Sequence, residues 1–150
     1  MKKLLLIALL STSCFAQIDK FGDWHVEKTI DPFNDVVVET AYSGGGRDIL
    51  AVRCKDGESN VFIITKKYVG DKSQTITYRV DKGEIKSVYA NASTSGTGMF
   101  IKNSNEFISS MYGAHQIFIK FQSYKGQKHI AKFRIAEAEN ALYFYAKCGM

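Results

Sequence analysis

The sequence predicts a mainly β protein, a single antiparallel β-sandwich or partly open barrel, with one short helix near 104–112 and a second helix at the C-terminus. Three observations carry that expectation. Short runs rich in β-branched and aromatic residues alternate apolar with polar side chains. Turn-forming residues separate these runs at short intervals, and strong helix formers accumulate only from Ala136 onward.

Residues 24–28 read as the first strand, ended by Asp31-Pro32-Phe33-Asn34-Asp35, where proline breaks the ladder and Asx residues favour a turn. Residues 36–42 follow as a strand, and Ser43-Gly44-Gly45-Gly46 reads as a flexible loop. In 48–54, strand alternation places Leu50, Val52 and Cys54 inward and Ala51 and Arg53 outward. Lys55-Asp56-Gly57-Glu58 is a hairpin turn on its Asp-Gly pair, with 60–65 as the return strand. The scheme repeats in 74–80, with Ile76, Tyr78 and Val80 inward and Arg79 outward, then turns at Asp81-Lys82-Gly83 into 84–89.

Residues 91–98 read as a polar loop before a brief strand at 99–101. Asn103 or Ser104 is placed to cap a short helix whose Phe107, Ile108 and Met111 share one face. Residues 116–124 form the clearest strand, and Lys125-Gly126-Gln127 turns it into 129–135. From Ala136 the spacing of Ala138, Ala141, Leu142 and Tyr145 predicts a terminal helix ending near Cys148.

The chain opens as a secretory signal: Met1-Lys2-Lys3, an apolar run at 4–10 and the small-residue stretch before Gln17. The run is too short for a membrane span of roughly 20 residues. Cleavage is expected after Ala16, leaving 17–150 as one β-rich domain without a transmembrane segment. The alternative is a lipid anchor on Cys14, although Leu10 stands one position too far upstream for a good lipobox. Removing residues 1–16 takes Lys2 and Lys3 and lowers the formal charge from +5 to +3. Basic residues are scattered among acidic ones, which argues against nucleic acid as a partner.

Cys54 and Cys148 then remain in a chain bound for an oxidising compartment, and pairing is the economical reading. Such a bond closes a loop of about 90 residues and contributes around 4 kcal/mol in the chain-entropy model. Two free thiols are the rival; neither cysteine has a second ligand nearby at zinc spacing. No metal site and no cofactor is expected.

Signals of catalysis are weak. His25, His115 and His129 stand alone in two strands and a loop and read as surface residues; no nucleophile-elbow motif is present. Asp31, Asp35 and Asp81 are the carboxylates to consider for a hydrolase, against a plain turn-capping role. The candidate binding residues are Trp24, among aromatics near strand ends, and the outward pair Arg53 and Arg79, which suits an anionic group.

Taken together, Gly22-Asp23-Trp24, Asp31-Pro32 with Asp35, Leu50-Ala51-Val52-Arg53-Cys54, Thr77-Tyr78-Arg79-Val80-Asp81, Ala131-Lys132-Phe133, Ala141-Leu142 and Cys148-Gly149 resemble the VasI family. These are small exported proteins associated with type VI secretion systems. The resemblance covers nearly the whole mature chain and departs at Val88-Tyr89, where a tryptophan is expected. It implies a non-enzymatic accessory or binding role in the periplasm, with an envelope protein or cell-wall component as partner, and it supports the Cys54–Cys148 pairing. The alternative is an envelope inhibitor or immunity-type protein acting on a cell-wall hydrolase.

Overall fold

The computed structural model describes residues 16–150. The signal segment and Cys14, and with them the choice between cleavage and lipidation, lie outside the described residues. Ten strands form one continuous antiparallel sheet: β1 (Gln17–Phe21), β2 (Trp24–Ile30), β3 (Val37–Gly45), β4 (Asp48–Lys55), β5 (Glu58–Thr65), β6 (Gln74–Val80), β7 (Ile85–Ala92), β8 (Gly98–Ile101), β9 (Gln116–Gln122) and β10 (Lys128–Arg134). Their order is β1-β2-β3-β4-β5-β8-β7-β6-β9-β10. The sheet curls so that β10 packs on β3 and β4, giving an open barrel with two opposed leaves, β1 to β5 on one side and β6, β9 and β10 on the other.

Alternation decides which side chains fill the space between the leaves. Leu50 and Val52 of β4, Ile76 and Tyr78 of β6 and Ile117 and Ile119 of β9 are all buried, while Arg53 and Arg79 face out. Asp56 and Gly57 both take left-handed conformations (φ 52° and 75°), the pairing that a two-residue hairpin requires. The α1 helix (Ser104–Ser110) buries Phe107 and Ile108, with Met111 just beyond its end, and Phe107 meets the Tyr78 ring edge-on at 4.9 Å. Asn103 precedes it in a left-handed conformation and makes no side-chain cap; Ser104 Oγ lies 3.0 Å from the Tyr145 hydroxyl instead.

Three elements differ from the sequence reading. Strand β1 pairs with β2 although its side chains are mostly exposed, so it has no alternating signature. The glycine-rich segment is not a loose loop: β3 runs through Gly45. Gly44 lies under Phe133 of β10, and a Cβ there would stand 2.5 Å from the Asp48 carbonyl oxygen. The missing side chain is what lets the two leaves close. Beside it the Ser43 hydroxyl donates to the Arg134 carbonyl on β10.

The C-terminal helix is present in two short pieces, α2 (Ala138–Ala141) and a 3-10 turn at Tyr145–Lys147. Leu142 and Phe144 are both buried. In a continuous helix they would point about 200° apart, so burying both breaks it. Cys148 follows and bonds to Cys54, with 5.8 Å between the Cα atoms. The bond fastens the chain end to β4.

Candidate functional site

The residues singled out for binding do not converge. Trp24 is 0% exposed and belongs to the core, between Phe21 on β1 and Ser43 on β3, so its ring cannot serve as an outer contact. Arg53 and Arg79 both face outward as expected, yet four strand steps separate β4 from β6, about 19 Å at normal strand spacing. Each is also engaged locally. The Arg53 guanidinium stacks 5.1 Å from the Phe62 ring centroid, and Arg79 donates to the Gly83 and Lys82 carbonyls at 2.9 and 3.1 Å, holding the β6–β7 turn.

The titratable candidates are likewise spent on structure. Asp31 Oδ1 accepts the Phe33 amide at 3.0 Å, and Asp35 takes a left-handed turn conformation. Asp81 accepts the amides of His115 and Gln116, closing the approach to β9. His25 stacks on Tyr42 at 5.3 Å. His129 is a correction: it is mostly buried between the leaves, with Nε2 3.1 Å from Asp48 Oδ2 and its ring edge-on to Phe121. Its place was readable, because His129 shares strand parity with Ala131 and Phe133, as Asp48 does with Leu50.

A depression of about 470 Å³ lies at the loop end between Lys72 and Tyr124. Its central polar groups answer one another: the Gln74 amide donates to the Gln122 carbonyl at 3.0 Å and accepts the Gln122 amide at 2.8 Å. That pair continues the β6–β9 ladder, and the Ser123 hydroxyl on the same lining is left without a partner.

A smaller groove of about 260 Å³ on the outer face of β5 and β8 has a different character. The strand register carries an aromatic row across the leaf, from His25 through Tyr42 and Ala51 to Phe62 and Phe100. Next to it Ile64 faces Gly98, which has no side chain to fill the space. Phe62, Ile64 and Phe100 therefore make an apolar wall and floor, with Ile64 and Phe100 still 43% and 40% exposed. The rim is polar, formed by the linked hydroxyls of Ser93, Ser95 and Thr97. An apolar floor with hydroxyls at its edge accepts a nonpolar side chain and fixes the backbone that bears it. Sequence reasoning missed this site. The signal was the unbroken apolar run Val61-Phe62-Ile63-Ile64, which in a strand puts apolar groups on both faces.

No family model matches the chain, and no curated protein matches it in sequence. A solved structure does match its fold. The crystal structure of invasion associated protein B from Bartonella henselae superposes with a TM-score of 0.61, over 88% of this chain and 97% of that one. Sequence identity is 9%, so the likeness is one of fold. It says nothing about the groove chemistry.

Proposed function

We propose that the protein is a non-enzymatic binding protein of the bacterial periplasm, an accessory of the cell envelope of the kind associated with type VI secretion, whose partner is an envelope protein. The observation that carries the reading is the groove on β5 and β8, where Ile64 and Phe100 stay open to solvent over a buried Phe62, beside a hydroxyl rim. Burying such a surface is favourable by about 25 cal/mol per Å² of apolar area, so an exposed apolar recess is a natural seat for a partner side chain. The secretory signal, the Cys54–Cys148 bond and the VasI resemblance support an oxidising envelope compartment. A binding role is supported further by Asp31, Asp81 and His129, whose polar contacts are to backbone and a neighbouring side chain.

The test is crosslinked capture from intact cells with the full exported protein. Wild type is expected to retain an envelope-located protein, and Ile64→Ser/Phe100→Ser to lose it. Capture that is unchanged in the double variant, or the absence of any envelope protein, would refute the reading. Capture of a cell-wall hydrolase whose turnover falls on binding would move the function to an inhibitor. Turnover of purified cell wall that vanishes with Asp31→Asn, Asp35→Asn or Asp81→Asn would make it an enzyme.

A further inference from the structure

The outward side chains of β6, β9 and β10 form a second surface, on the opposite leaf from the aromatic row. Register aligns Ile85, Arg79, Phe118 and Lys132 in one row across the sheet, and Ser87, Thr77, Lys120 and Ile130 in the next. Lys128 stands one row further, opposite Gln122. Strands β6, β9 and β10 contain no Asp or Glu at all. Arg79 is engaged by its turn and Arg134 pairs with Asp23 at 3.2 Å. Lys120, Lys128 and Lys132 have no carboxylate within ion-pair distance among the described residues.

The apolar members of the same face are unusual in their exposure. Ile85 and Ile130 are 70% and 61% exposed; Ile130 stands amid the cations, between Lys128 and Lys132 on β10 and opposite Lys120, and Ile85 ends the Arg79 row on β7. From this combination we infer that the face seats on an anionic phospholipid bilayer, lysine ammoniums against lipid phosphates and the two isoleucines entering the interface. A soluble polyanion satisfies the lysines but leaves the isoleucines in water. A neutral glycan calls for open aromatic planes, and the Phe118 ring already has the Lys132 ammonium 5.6 Å from its centroid. A bilayer interface accepts both groups at once. The inference does not depend on the groove, which faces away.

The experiment is sedimentation of the exported protein with vesicles of phosphatidylethanolamine and phosphatidylglycerol, against vesicles of phosphatidylcholine alone. Binding is expected only to the anionic vesicles, and to weaken as salt shortens the electrostatic range. Each lysine near an anionic surface contributes about five-fold in partition, so Lys120→Gln/Lys128→Gln/Lys132→Gln should lose roughly a hundred-fold. The same charge change elsewhere, Lys20→Gln/Lys55→Gln/Lys147→Gln, should lose far less. Ile85→Ser/Ile130→Ser keeps the charge and should still weaken binding. The inference is overturned by equal binding to both vesicle types, by equal loss in the two lysine triples, or by isoleucine variants that bind like wild type. Preference for purified cell wall over vesicles would likewise replace the bilayer with a polymer.

Discussion

Replacing Gly44 by alanine tests how the sheet closes. Gly44 has φ 104°, a conformation that side-chain-bearing residues rarely adopt, and occupying it costs about 1–3 kcal/mol. The new Cβ would also stand 2.5 Å from the Asp48 carbonyl oxygen and 3.1 Å from the Phe133 ring. The nearer atom is backbone of the adjoining strand and the ring belongs to the opposite leaf, so relief requires moving one of them, typically another 1–3 kcal/mol. A combined loss of about 2–6 kcal/mol should lower the melting temperature of a domain this size by roughly 6–18 °C. Its neighbour supplies the control. A Cβ on Gly45 meets nothing within 4 Å, so Gly45→Ala should change stability by less than about 1 kcal/mol, in either direction. Thermal unfolding followed by near-ultraviolet circular dichroism reads both variants. Equal melting temperatures for the two would refute the idea that Gly44 sets the approach of β10 to β3.

Three other outcomes follow from the same packing. Cys54→Ala/Cys148→Ala opens a loop of 94 residues, for which the chain-entropy model gives about 4–5 kcal/mol, and urea unfolding should show a loss near that size; a loss under about 1 kcal/mol counts against it. His129→Ala leaves the partly buried Asp48 carboxylate unpaired and should cost about 1–3 kcal/mol, while the double variant with Asp48→Ala should cost less than the two singles added, as chemical denaturation of the four proteins can measure. Burial pushes the Tyr78 phenol above its ordinary value, with Lys86 opposing. Its neutral form is therefore favoured in the fold, and the associated stability holds below the usual tyrosine range and is lost as pH rises through the raised value. Burial raises Tyr112 as well, so absorbance titration should show two late phenolate transitions, of which Tyr78→Phe removes one.

Local rules made much of the sheet legible. The Asp56-Gly57 pair announces its turn because only a few residues tolerate two left-handed positions in succession. Strand parity sent Cys54 inward, and Cys148 could reach it because the chain end returns to β4. What escaped was whatever depends on how one leaf lies on the other. Trp24 sits near a chain turn, where an aromatic can face either way, and only the covering by the second leaf and the terminal segment buries it. Gly44 looks like its two glycine neighbours until Phe133 crosses it. Leu142 and Phe144 fit a helical composition, yet their shared burial is a tertiary demand that breaks the helix. The outer aromatic row crosses five strands, and register between distant segments is not encoded in any one of them.

Closure also fixes where function can reside. Once the inner alternates of β2 to β10 are committed to the core, recognition falls to the outer alternates, and the two leaves offer opposite chemistries there: aromatic and aliphatic around Phe100, cationic around Lys120 and Lys132. Residues on opposed leaves share no partner, so their substitutions should act independently. Phe100→Ser should then impair partner capture and leave anionic vesicle binding intact, and Lys132→Gln should do the reverse. Variants that impair both at once would mean that the two surfaces serve a single ligand, and measuring both properties on each variant separates these cases. The Gly44→Ala protein provides the complementary case: loosening the contact between the leaves disturbs the scaffold common to both surfaces, and both activities should fall together with the melting temperature.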